Sequence, residues 1–232
     1  MGVIKVKTYK KIENLVASFE GCYLKAYKCP AGVWTIGYGH TQGVKQGQSI
    51  TQKQATEYLK QDLEKVRKNL SKREYWRVCG NRNFRDAMVS FAFNCGEGCY
   101  DQLKNFGDWY LMLKNLHQFC HARVNGKMTV LNGLVRRRRE ELTFALKFYG
   151  NCTTEDYLRT TTLVAQGMLN HWVEKHTKKK YTLLKRDGHY GKLTKERVIE
   201  FQKAYRLTAN GILNKATWDK LVELDFELKV QS

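Results

Sequence analysis

Residues 19–41 read FEGCYLKAYKCPAGVWTIGYGHT, and the pattern changes character across them. Just upstream, Ile12, Leu15, Val16 and Phe19 recur at helical spacing, which predicts an amphipathic helix over residues 8–20. That helix delivers Glu20 at its end, beside Gly21. From Ala26 to Thr41 the chain is rich in glycine, aromatic and β-branched residues with partial alternation, which predicts a small antiparallel β element. A carboxylate therefore sits where a helix meets a sheet, with Cys29 and Thr35 following in the sheet. Taken alone, Glu20 is an ordinary helix-end carboxylate and Thr35 an ordinary strand residue.

Working outward, Thr51 followed by Gln54 is a capping-box signature. It opens a helix whose stripe is Ala55, Tyr58, Leu59, Leu63 and Val66, with Asp62 as its polar member. Further helices are expected near 83–95, 101–121 and 134–149. Residues 150–160 lose the apolar period and mark a boundary. Beyond it lies a cysteine-free unit with an internal repeat: Asp187-Gly188 through Thr194 returns as Asn210-Gly211 through Thr217. Each copy reads as a turn followed by a threonine able to cap the next helix. With an earlier helix near 161–175, these units predict a three-helix bundle. The expected organisation is a domain over 1–152 and a second over 161–228, in a mainly α (α+β) chain.

The 232 residues, 42% hydrophobic and 12% aromatic, are enough for real cores. Lys and Arg number 41 against 22 Asp and Glu, a formal charge of +19 that draws the protein to polyanions. Nucleic acid and an anionic bacterial envelope fit that charge equally well. The basic residues are dispersed, with runs only at Arg136 to Arg139 and Lys178 to Lys180, which argues against a dedicated nucleic-acid arm. No stretch has the length of a signal peptide or a membrane span, so synthesis in a cytoplasm is expected. The seven cysteines are Cys22, Cys29, Cys79, Cys95, Cys99, Cys120 and Cys152. Their number is odd and no CxxC pair occurs, so neither a full disulfide set nor a zinc site is expected. Buried free thiols are the plain reading for most of them.

The stretch Phe19-Glu20-Gly21 followed by CPAGVWTIGYGHT resembles the catalytic segment of the phage-type lysozymes. The resemblance continues through RDAMVSFAFNCG (85–96) and GLVRRRREE (133–141), and covers roughly residues 8–149. It implies a lysozyme-like catalytic domain with a small β-sheet and an N-acetylmuramidase, an endolysin cutting peptidoglycan glycan strands during host-cell lysis. It also implies a catalytic set of Glu20, Cys29 and Thr35. Glycosidic cleavage needs a proton donor for the leaving oxygen and a group handling water on the opposite face. Glu20, sheltered by Phe19, Tyr27, Trp34 or Tyr38, fits the donor role. Cys29 stands where many members carry aspartate. A site partner, a structural thiol, and a redox-linked cysteine paired with a neighbour such as Cys22 all remain open for it. Thr35 is implied to hold the attacking water. Arg137, or next Arg138, is implied to pair with the glutamate. Asn94 reads equally as a substrate contact and a helix-end residue. Tyr38 and His40 read as packing and hydrogen-bonding residues of the sheet.

The rear unit resembles the common peptidoglycan-binding three-helix domain. The matching pieces are Asp187-Gly188, Tyr190-Gly191, Thr194, Phe201-Gln202, Asn210-Gly211 and Thr217-Trp218. No cofactor or metal is expected. The expected partners are bacterial peptidoglycan and the anionic envelope, with no specific nucleic acid and no membrane span, for a monomer released to the periplasm by a holin. The alternatives are a lytic transglycosylase on the same substrate, a wall-binding protein disabled at Cys29, and a nucleic-acid binder.

Overall fold

The computed structural model describes residues 9–73, 76, 81–105, 107–147, 155–177 and 181–227. Helix α1, Ile12–Ala17, buries Ile12, Leu15 and Val16. It is shorter than its apolar spacing predicts. The Ser18 hydroxyl donates to the Leu15 carbonyl at 2.7 Å and competes with the helix for that acceptor, so Phe19 and Glu20 leave on a final turn. Strands β1 (Tyr23–Lys28) and β2 (Trp34–Gly37) then pair antiparallel, with Tyr27 opposite Thr35 and Lys28 opposite Trp34. Ile36 packs with Ile50 and Ala55 in a small core. Ala55 belongs to α2, Gln52–Leu70, whose N-terminus carries the full reciprocal Thr51–Gln54 capping box.

The central helix is α3, Arg82–Cys95, capped by the Asn81 side chain and burying Phe84, Ala87, Met88, Val89 and Phe91 completely. The single helix expected over 101–121 is instead three pieces. They are α4 (Glu97–Lys104), α5 (Trp109–Asn115) and a 3-10 turn (Leu116–Phe119). Asp108 explains the break, because its carboxylate caps the Leu111 N–H and starts a new helix. A second hairpin follows, β3 (His121–Val124) with β4 (Lys127–Val130), for which periodicity gives no expectation. Its turn, Asn125-Gly126, has positive φ at both residues, as a two-residue hairpin loop requires. Helix α6, Asn132–Ala145, packs back onto α3.

The rear unit consists of α7 (Glu155–His176), α8 (Lys192–Ala204) and α9 (Lys215–Phe226). Helix α7 starts six residues before the expected 161, inside the segment read as a boundary; residues 150–154 of that segment lie outside the described ones. The repeat threonines are not caps. Gly191 and Asn214 occupy the N-cap positions, and Thr194 and Thr217 lie inside the first turns. Their hydroxyls instead accept from two buried glutamines, Gln166 on α7 and Gln202 on α8. Each glutamine also takes the glycine N–H of the turn it spans, Gly188 at 2.9 Å and Gly211 at 3.0 Å. Each repeat is thus a glycine turn pinned by a glutamine from the preceding helix.

One apolar cluster runs from α1 and α3 through α5 into α7, α8 and α9. Tyr110 of α5 lies so close over Gly167 of α7 that a Cβ there would run into the ring. The Trp218 indole N–H donates to the Leu146 carbonyl at 2.6 Å across the same junction. Among the described residues no helix is long and apolar enough to cross a membrane.

Candidate active site

Glu20 is half-buried at the end of the α1 turn, and the Arg137 guanidinium of α6 reaches it, Nη1 to Oε1, at 2.5 Å. Arg137 is itself only 4% exposed. It lies over the Phe19 ring at 5.1 Å, so Phe19 shelters the ion pair from one side. Helix α6 shows why Arg137 rather than its neighbours makes this contact. Among four consecutive arginines, Arg137 and Arg138 face the α3 side and are buried, whereas Arg136 stays exposed.

The β1–β2 hairpin brings Cys29, at its turn, and Thr35, on its second strand, together. The turn is closed by Gly32 N–H to the Cys29 carbonyl at 2.8 Å and Cys29 N–H to the Val33 carbonyl at 3.0 Å. The backbone N–H groups of Val33 and Ala31 hold the Cys29 thiol below its ordinary range. Burial opposes them, and the Thr35 hydroxyl adds to the lowering. Thr35 is buried and its hydroxyl donates to the Val33 carbonyl at 3.0 Å. Tyr27, paired with Thr35 across the strands, has its phenol pushed up first by burial, then by the charges of Tyr23, Cys29 and Glu20. Its hydroxyl therefore lies within the fields of both Glu20 and Cys29. Cys29 is a free thiol, as are Cys22, Cys95, Cys99 and Cys120, but of these only Cys120 is buried, against the expectation for most of them; Cys79 and Cys152 lie outside the described residues.

Asn94 stands on the last turn of α3, exposed, with its side-chain carbonyl accepting from Arg138 Nη2 at 2.9 Å. Arg138 Nη1 also reaches the Cys95 sulfur at 2.9 Å, and burial pushes that thiol up against the opposing guanidinium. His40 is buried behind the hairpin. Its Nδ1 meets Asp62 at 2.9 Å, its Nε2 meets the Gln42 carbonyl at 3.0 Å, and its ring stacks on Tyr58. The Tyr38 hydroxyl accepts from Gln52 at 2.8 Å. Both residues brace the sheet.

Two residues in this network have no counterpart in the sequence reading. The Glu141 carboxylate is fully buried between Arg137 and Arg138, at 3.2 Å and 2.9 Å, and accepts from the Ser90 hydroxyl at 2.7 Å. Burial pushes its carboxyl up, while Arg138, Arg137 and Ser90 pull it down. Among the described residues no group of three His, Cys, Asp or Glu side chains converges as a metal site would require.

Residues 17–141 match the Phage lysozyme family, and residues 173–221 match a peptidoglycan binding domain family. The endolysin of Acyrthosiphon pisum secondary endosymbiont phage 1 is 39% identical over 132 residues, 55% of this chain and 89% of that protein. The SAR-endolysin of Escherichia phage P1 is 32% identical over 172 residues, 63% of this chain and 85% of that one. Some longer endolysin relatives are covered over about half their length. Among solved structures, the endolysin from Escherichia coli O157:H7 phage FAHEc1 is similar at a TM-score of 0.50 and 32% identity. That match covers 62% of this chain and 95% of that one.

Proposed function

The chain belongs to the phage lysozyme family, a glycoside hydrolase of the muramidase endolysin type acting on peptidoglycan, and on that premise we propose how its residues divide the reaction. Glu20 donates its proton to the bridging oxygen as the bond from the N-acetylmuramic acid C1 to that oxygen breaks. A water on the opposite face attacks C1 and gives its proton to the Cys29 thiolate, while the Thr35 hydroxyl holds that water. The products are a reducing muramic end and a free hydroxyl on the neighbouring sugar, by single displacement with inversion.

What supports this reading is Glu20 held by Arg137 at 2.5 Å, a Tyr27 phenol on the hairpin that feels the charges of both Glu20 and Cys29, and a hairpin backbone that holds the Cys29 thiol low. A lowered thiol pKa raises the thiolate fraction near neutral pH, which offsets the weakness of a neutral thiol as a base. Asn94, held by Arg138 at its carbonyl, keeps its amide N–H₂ for the substrate.

Residues 161–228 serve as the wall-binding domain and residues 1–152 as the catalytic one, in a protein that works as a monomer. The net charge of +19 concentrates it at the anionic envelope without specific recognition of nucleic acid. Action in the periplasm and cell wall follows from the substrate, and passage there from the cytoplasm of synthesis is read as holin-dependent. Mass spectrometry of the released glycans tests the reaction type. Hydrolysed reducing ends are expected; 1,6-anhydro ends would make the chain a lytic transglycosylase and remove the water step.

A further inference from the structure

The side chain with the least evident purpose is Glu141. A carboxylate with no exposed surface, shared by two guanidiniums that are 4% and 3% exposed, is a costly way to fill a core. Well-packed apolar residues of similar volume serve stability as well or better. What the arrangement supplies is orientation. Arg137 is held at Nε by Glu141 (3.2 Å) and at Nη2 by the Ser90 carbonyl (3.5 Å), which leaves Nη1 aimed at Glu20. Arg138 pairs with the same carboxylate at 2.9 Å through Nε and donates Nη2 to it at 3.2 Å, while Nη2 also reaches Asn94 and Nη1 reaches Cys95. Glu141 and the two arginines share one helix, so the spacing between anchor and guanidinium is fixed by the helix itself.

We propose that Glu141 is a positioning residue for the glycan-cleaving reaction, dividing the Arg137 charge between itself and Glu20 and fixing the angle at which Arg137 meets Glu20. The inference rests on the reading of Glu20 as proton donor. Charges alternate along the chain Glu20, Arg137, Glu141, Arg138, with the Ser90 hydroxyl from α3 and the Cys95 thiol as the other groups facing it. When Glu141 loses its charge, Arg137 acts on Glu20 alone and favours its anion, so the acid is withdrawn at lower pH.

The test is kcat and KM across pH for the full chain and for Glu141→Gln, Ser90→Ala and Glu20→Gln, with circular dichroism to confirm folding. In Glu141→Gln, kcat is expected to fall roughly tenfold to a hundredfold, as displaced catalytic groups cost, with KM within about twofold and the alkaline limb moved to lower pH. Ser90→Ala, which takes away one hydrogen bond, moves the limb the same way by less. A folded Glu141→Gln with the wild-type alkaline limb overturns the proposal, as does a loss confined to KM. If Glu141→Gln fails to fold, Ser90→Ala decides, and a wild-type limb there overturns it. Activity retained in Glu20→Gln instead defeats the donor reading itself, and an inactive Glu20→Gln beside an unmoved limb defeats only the role of Glu141.

Discussion

At the scale of single residues, Cys29 and Glu141 show opposite uses of the surroundings of an ionisable group. Cys29 sits in a tight turn whose amides stabilise the anion, whereas Glu141 is stripped of solvent and then compensated by two cations. For Cys29 the sign follows directly. On the proposed base role, activity is lost as pH falls through the thiol pKa, and the lowered thiol places the acid limb of kcat/KM below the ordinary thiol range. Cys29→Asp should carry that limb down into the carboxylate range, and Cys29→Ser should cost about 10²-fold or more in kcat. An acid limb identical in wild type and Cys29→Asp would take Cys29 out of the base role. Glu20, Cys29, Thr35, Arg137 and Asn94 could be put forward as candidates from sequence because they fall in short motifs. Glu141 could not. In the run RRRREE every position is charged, and hydropathy reads such a run as a solvated face; only the packing of α6 on α3 decides which charges turn inward.

At the scale of elements, local chemistry that names its own partner was legible, and breaks between elements were not. The Thr51–Gln54 box announces the start of α2 because both partners lie within one turn. The stretch 101–121 reads as one helix because its apolar residues keep helical spacing across the interruption that Asp108 imposes. The hairpin over 121–130 exposes both strands, so its side chains show no buried face to alternate against, although Asn125-Gly126 is itself a turn signal. The junction of α3 and α4 is governed by Gly96, with φ 86° and ψ 157°, a region nearly restricted to glycine. Space is open around its missing Cβ, so Gly96→Ala is penalised through the backbone alone. A loss of roughly 1–3 kcal/mol in unfolding free energy is expected by denaturant titration. A variant as stable as wild type would show that the junction relaxes to another conformation.

At the scale of the whole molecule, composition marked two units, and the cysteine-free stretch with its repeat was enough to see the second. It gave no hint that the two share a core, because the joining contacts come from residues far apart in sequence. Asp225 of α9, 2% exposed at its side chain, accepts from Tyr110 and Lys114 of α5, each at 3.2 Å, and pairs with His171 of α7. Asp225→Ala leaves these groups without their shared acceptor. It should cost about 3 kcal/mol, the low end for a broken buried pair, because Lys114 keeps 30% of its side chain exposed. At roughly 2–4 °C per kcal/mol for a chain of this size, the melting temperature should fall by about 6–12 °C. Calorimetry should show one transition in both proteins; two separated transitions, with only the later one moved, would contradict a shared core.

Everything in the catalytic account depends on Glu20 giving up its proton to the bridging oxygen. The most direct measurement is the release of new reducing ends from purified peptidoglycan by wild type and by Glu20→Gln of equal melting temperature. The account predicts a loss of at least about 10²-fold, the lower bound for removing a general acid, with binding to the wall retained. Release by Glu20→Gln at the wild-type rate would contradict it.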